Sequence, residues 1–226
     1  MQKRNAILSL VFLLPAPSLA VWAGMIVWPD TVFGKAVFAL CKVWILALPA
    51  IWFFGVERQR LLMRRPGIVG IVVGALLGLV ISAMIFLGYW CLARNWIDPA
   101  VVKNLVAKVG LGRPVVYLVG AAYWVIVNAL LEEYVWRWFV FRQFRTLMPA
   151  FAAVAASATG FTLHHIVAMQ TYFPPHVVTI AALGIFIGGV IWSWCYWRFG
   201  TIWPGYLSHA IVDVAVFSIG YCILFR

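Results

Sequence analysis

The sequence predicts an all-α polytopic membrane protein of about seven transmembrane helices. Three observations predict it. Of 226 residues, 65% are hydrophobic and only 10% are charged, with a mean hydropathy of +1.01, whereas a soluble domain carries about 25% charged residues. The apolar stretches reach about 20 residues, long enough for membrane helices and too long for barrel strands. The net charge of +11 comes from 17 basic residues, most of them between the apolar stretches, which suits loops facing a cytoplasm and anionic head groups. The thirteen Trp suit interfacial belts. No dense basic run with interleaved aromatics lies outside the apolar segments, so the composition argues against a nucleic-acid partner.

Lys3 and Arg4 precede an apolar run from Ala6 to Trp28. A basic start, a short apolar region and Pro17-Ser18-Leu19-Ala20 imitate a signal peptide. The run is nonetheless long enough to span a membrane, so a retained first helix is expected, kinked near Pro15 and Pro17 and ended by Pro29-Asp30. A second span is expected over Val32–Gly55, followed by the most basic loop, Glu57–Pro66. A third, Gly67–Leu92, is rich in glycine and other small residues that allow close helix packing. Arg94–Arg113 is less apolar, and Asp98–Val109 within it reads as a short amphipathic helix in the interface. The fourth span starts near Val115. The fifth follows Pro149 and ends near Ala168, and Tyr172-Phe173-Pro174-Pro175 forms an uncharged loop. The sixth covers His176–Trp197 and the seventh Pro204–Leu224.

Seven spans place the termini on opposite sides. With the N-terminus inside, ten basic residues face inward (Lys3, Arg4, Arg58, Arg60, Arg64, Arg65, Arg137, Arg142, Arg145, Arg198) and six outward (Lys35, Arg94, Lys103, Lys108, Arg113, Arg226). That balance predicts a cytoplasmic N-terminus. The general character of the chain suggests a bacterial inner membrane. One integral membrane domain over 1–226 is expected, with N-terminal helices of unassigned role in 1–114 and a catalytic core in 115–226. Cys41, Cys91, Cys195 and Cys222 are scattered singly, with no CxxC pair, so neither a zinc knuckle nor a disulfide framework is indicated.

Charges inside apolar spans cost several kcal/mol unless paired or wetted, and by default they mark function. The fourth span carries Glu132, Glu133 and Arg137. The fifth carries Phe161, His164 and His165, and the seventh carries His209 and Asp213. Glu133 and Arg137, Phe161 and His165, and His209 and Asp213 are each four apart, a spacing that shares one face of an α-helix. His164 points about 100° away from His165 and is expected to be structural, as is His176. Glu132 lies 17 residues before Pro149 and His165 lies 16 after it, so a hairpin at Pro149 sets them at matching height. Arg142 and Arg145 suggest that this hairpin projects beyond the membrane. Measured from Arg142, Glu132 lies about 15 Å inward, and His209 starts about 8 Å into its helix from Pro204. The three faces can then meet a modest distance below the cytoplasmic interface, in spans 4, 5 and 7.

In this order the residues resemble the CAAX-protease and bacteriocin-processing (CPBP) family, glutamic-type intramembrane endopeptidases related to the type II CAAX prenyl endopeptidase. The resemblance rests on Glu132-Glu133-x-x-x-Arg137, Phe161-x-x-x-His165 and His209-x-x-x-Asp213, and covers about Val115 to Ala215. Asp213 stands where the prenyl endopeptidases carry Asn. The resemblance implies peptide hydrolysis by water that Glu132 and His165 activate, with His209 and Asp213 at the oxyanion.

The residue chemistry leads to the same assignment. Hydrolysis of a peptide needs an activated water, a holder for the oxyanion and a proton for the leaving amine. A carboxylate in an apolar, partly wet pocket suits a general base near neutral pH. Glu133 has Arg137 on its own helix as a charge partner, which makes it a positioning group. Glu132 has no such partner there and is assigned as the base, with His165 as co-activator. His209 and Asp213 hold the oxyanion or orient the carbonyl, Asp213 acting through His209 or when protonated. Phe161 shapes the wall. No cofactor is expected.

Other readings stay open on the residues alone. Glu132, His165 and His209 are a possible three-ligand zinc site, although no HExxH is present. The polar groups also suit a non-enzymatic scaffold or immunity protein that keeps them as a helix lock, or a proton-coupled transporter. The expected partners are the lipid bilayer and a peptide or protein substrate, with a lipidated or hydrophobic C-terminal segment among the candidates.

Overall fold

The computed structural model describes residues 2–60, 65–170 and 173–226. Leu61 to Arg64 of the expected basic loop, and Thr171 with Tyr172 at the uncharged loop, lie outside the described residues. Among those described the chain is helical, with no strand. Seven helices are long and apolar enough to cross a membrane: α1 (Gln2–Val27), α2 (Val32–Val56), α3 (Ile68–Cys91), α5 (Pro114–Leu147), α6 (Ala150–Met169), α7 (Pro175–Phe199) and α8 (Trp203–Phe225). The short helix α4 (Pro99–Lys108) stands between α3 and α5. The protein is an integral membrane protein. The expected bounds differ by a few residues at most, because a run of apolar side chains and a bilayer's thickness set the same length.

Local chemistry sets where the helices start and stop. The α-helical ladder of α1 breaks at Leu14, ahead of Pro15 and Pro17, which supply no backbone N–H. Asp30 takes a positive φ of 61° in the turn after α1. Thr31 then caps α2, its hydroxyl accepting from Gly34 N at 3.0 Å. Asp98 caps α4 in the same way through Ala100 N at 2.8 Å. Pro99, Pro114 and Pro175 stand first in α4, α5 and α7, where a missing N–H costs nothing. Gly200, at φ 68°, closes α7 in the left-handed conformation.

Helix α5 is 34 residues long, about 50 Å at the α-helical rise and well beyond the ~30 Å hydrocarbon core. Its C-terminal turns, with Arg142 and Arg145, are long enough to project past the core. It is also not uniformly α-helical. Trp124–Asn128 and Glu133–Phe141 wind as π-helix, a rare form that recurs at functional sites.

The helices divide into two compact units, Met1–Arg65 with Tyr134–Thr201, and Pro66–Glu133 with Ile202–Arg226. In the first unit, Trp44 Nε1 donates to Phe12 O at 2.9 Å, Tyr134 to Leu46 O at 3.0 Å and Ser157 to Trp136 O at 3.0 Å. Gln143 donates to Glu57 Oε1 at 2.7 Å, and Arg142 lies 3.8 Å from Glu57 Oε2. A Cβ at Gly189 would press on Ala158 at 3.2 Å, which shows how closely α6 and α7 approach.

The second unit is built on a stripe of small residues. Gly70, Gly74, Gly78 and Ser82 are all buried on α3, and their spacing of four puts them on one face. A Cβ on Gly74 would collide with the carbonyl of Pro204, and one on Gly78 would meet Ser208 and Ile211 at 3.0 Å. Ser82 donates to Ile211 O at 3.2 Å. Close backbone approach of this kind fixes helix register in a membrane, and here the fixed helix is α8, which carries His209 and Asp213. Tyr117 on α5 donates to Phe217 O at 2.9 Å and Tyr206 to Ile126 O at 3.0 Å. Helix α4 lays Val102 and Val106 against Tyr117 and Leu224. Its Lys103 and Lys108 are exposed, as its amphipathic pattern predicts.

Candidate active site

Polar residues come together within each unit. In the second unit Glu132, Glu133, His209 and Asp213 come together. Glu133 has no exposed surface and His209 only 4%. His209 Nδ1 lies 3.1 Å from Glu133 Oε1. A carboxylate only accepts when ionised, so Nδ1 carries the proton of this bond. His209 Nε2 lies 3.6 Å from Glu132 Oε2 and 3.7 Å from Asp213 Oδ1. One imidazole thus meets three of the chain's six carboxylates. Nδ1 is within hydrogen-bond distance of its carboxylate, whereas Nε2 stands just beyond it from both of its own.

The Glu133–His209 bond was not read from the sequence, where Glu133 was matched to Arg137 on its own helix. Asn128 was missed altogether. It sits one turn before Glu132 and donates through Nδ2 to Glu132 Oε1 at 2.9 Å. Glu132 therefore has a neutral partner in its own helix, and its other oxygen is the one nearer His209. The Asn-x-x-x-Glu spacing was available in the sequence, but a neutral amide does not stand out in an apolar segment as a charge does. Glu132 and Asp213 keep side-chain exposures of 20% and 21%, enough for water to reach them.

In the first unit, Arg137, Phe161 and His165 come together with Trp192. Arg137 has no exposed surface. Its guanidinium carbon sits 4.5 Å from the centroid of Phe161 and 5.1 Å from that of Trp192, so two aromatic faces hold the cation. Trp192 comes from α7, a span to which the sequence reading gave no part in the site. His165 Nδ1 lies 2.8 Å from Phe161 O, and because a carbonyl only accepts, Nδ1 donates. The neutral ring then presents Nε2 as its proton acceptor. The rings of Phe161 and His165 are 4.5 Å apart.

His164 stacks on Trp136, with centroids 5.3 Å apart and planes 5° from parallel. It was expected to point away from His165, yet the two imidazole centroids are 4.0 Å apart. Rotation about the side-chain bonds brings both rings to one side despite the 100° between their Cα positions. His176 lies at the exposed start of α7. Cys41, Cys91, Cys195 and Cys222 are free thiols.

The family model described as Type II CAAX prenyl endopeptidase Rce1-like matches residues 114–215. Over that segment, just under half of the chain, the sequence is similar to this family of CAAX endopeptidases. The segment contains every residue of the two groups above and starts with the first residue of α5. No curated protein and no solved structure matches the chain.

Proposed function

We propose that the chain is a glutamic-type intramembrane endopeptidase that cleaves a membrane-associated peptide or a C-terminal protein segment. The observation that supports it best is the second-unit cluster. His209, anchored by buried Glu133, turns Nε2 toward Glu132 and Asp213, inside the segment shared with a protease family. Each part has a task. Glu132 takes a proton from water, with His165 as its co-activator, and the hydroxide adds to the scissile carbonyl carbon. The resulting oxyanion accepts from His209 Nε2–H, with Asp213 acting through His209. The proton held by Glu132 then passes to the amine nitrogen as the C–N bond breaks. Asn128 and Glu133 are positioning residues, one for Glu132 and one for His209. Arg137 and Phe161 position the substrate; a guanidinium binds a carboxylate through two hydrogen bonds, which suits a substrate cut near its C-terminus.

The reaction as written uses no metal ion. The ten-to-six basic asymmetry supports a cytoplasmic N-terminus.

Mass spectrometry of membrane proteins, with and without active protein, tests the reading. Glu132→Gln leaves an inserted, folded protein and removes the cleavage product, a loss of about 10²–10⁴-fold. A well-folded Glu132→Gln protein that still cleaves would refute it, and a chain that cleaves nothing would favour a non-enzymatic scaffold. Elemental analysis checks the chemistry. Less than a tenth of a zinc per chain is expected, as an order of magnitude; about one zinc per chain, lost in His165→Ala, would establish a zinc site of the three-ligand kind instead.

A further inference from the structure

Away from the polar groups, the first unit carries an apolar groove of about 390 Å³ lined by Ile7, Leu10, Val11, Leu14, Pro15 and Leu147. Its size is at the low end of ligand pockets. The five α1 residues follow the 3–4 spacing of one helical stripe, so the groove runs about 12 Å along the helix. Buried Leu10 forms its floor, whereas Ile7 and Val11 are 51% and 59% exposed.

The charge pattern gives the groove a direction. Lys3 and Arg4 continue the same stripe one turn before Ile7, and both are exposed. Across the groove, exposed Arg145 lies two residues before Leu147 and donates through Nη1 to Met148 O at 2.9 Å. That bond ties its guanidinium to the end of α5 and leaves four further N–H donors. The groove thus has an apolar length, with Lys3 and Arg4 one turn beyond Ile7 and Arg145 on the helix that supplies Leu147.

We infer that this groove binds one anionic phospholipid, its acyl chain along Ile7–Pro15 and its phosphate among Lys3, Arg4 and Arg145. A zwitterionic lipid fills the length equally well but gains less from three cations. A second copy of the chain fits poorly. Symmetry about the membrane normal would set the same cationic ends side by side, where like charges repel. The inference is independent of the proposed chemistry, since it uses none of the residues assigned to catalysis.

The test is native mass spectrometry of the detergent-purified protein titrated with phosphatidylglycerol or phosphatidylcholine, with size-exclusion profiles to confirm folding. The expected result is one retained phosphatidylglycerol, bound about tenfold more tightly than phosphatidylcholine. Lys3→Gln with Arg4→Gln should lose about tenfold in that affinity. Val11→Trp, which fills the groove from an exposed position and keeps every charge, should lose a similar amount for both lipids. Lys103→Gln with Lys108→Gln removes two charges from α4 in the other unit and should change nothing. Equal binding of the two lipids, an equal loss in the α4 variant, or unchanged binding in Val11→Trp would each overturn the inference.

Discussion

Glu133 and Arg137 lie four residues apart on one helix, both fully buried, and each has a neighbour of a different kind on another helix. Glu133 is held by a directional bond from a ring on another helix, His209 Nδ1 at 3.1 Å. Arg137 lies against the faces of Phe161 and Trp192 at 4.5 and 5.1 Å. A hydrogen bond to a charge has a narrow range of good angles and distances. An aromatic face attracts a cation over a broader range of positions. The contrast teaches that Glu133 sets where His209 sits, whereas the Arg137 pocket supplies a steady environment that tolerates movement of the guanidinium. A positioning role suits the first and a substrate-adjusting role the second.

The largest expected effect comes from emptying the aromatic pocket. Arg137→Ala removes a fully buried side chain from between two rings and should cost about 3–5 kcal/mol of stability. Arg137→Lys keeps the charge without the planar stack, so it should keep the fold and lower turnover. Thermal melting in detergent and a cleavage assay read the two effects. Glu133→Gln combined with Arg137→Gln sharpens the contrast through a double-mutant cycle. Costs that add within about 0.5 kcal/mol would mean that the two charges are held separately; a larger coupling would mean that they act as a pair.

The directional bond should break more selectively. His209→Ala leaves the buried Glu133 carboxylate without its imidazole and should cost about 3 kcal/mol and abolish cleavage. Glu133→Gln can still accept from His209 Nδ1 through its amide oxygen, and should cost only about 1 kcal/mol. If melting shows the two variants equally unstable, the bond is not what anchors His209.

The smallest of these effects belongs to Asn128. Asn128→Leu removes one donor from Glu132 at a half-buried site, and should lower kcat about tenfold with KM and melting temperature little changed. Asn128→Gln keeps an amide donor and should recover part of the loss. An unchanged kcat in Asn128→Leu would mean that Asn128 does not orient Glu132.

The same contrast explains what could be read in advance. The seven spans were legible because a bilayer demands long apolar runs and nothing else in this chain makes them. Glu132, Glu133, Arg137, His209 and Asp213 were legible because charge in such runs is costly. The small-residue third span was legible as a close-packing helix, and α3 turns Gly70, Gly74, Gly78 and Ser82 onto one buried face. Asn128 and Trp192 were not legible. A neutral amide carries no charge to flag it, and Trp192 is one of thirteen tryptophans, most of which suit any lipid-facing helix. The π-helical winding was invisible because propensity does not distinguish it from α-helix.

The small-residue stripe and the Glu133–His209 bond share a consequence for how the protein is made. Both join an early helix to α8, and Glu133 precedes His209 by 76 residues. At about 5–20 residues per second, a ribosome completes that interval in about 4–15 s. During it the glycine face of α3 has no helix against it and the Glu133 carboxylate stands in or beside the bilayer before its imidazole exists. Arrival of α8 closes the glycine face and supplies that imidazole in one step. A nascent chain stalled before α8 therefore lacks at once the imidazole that meets Glu133 and the helix that covers the glycine face of α3.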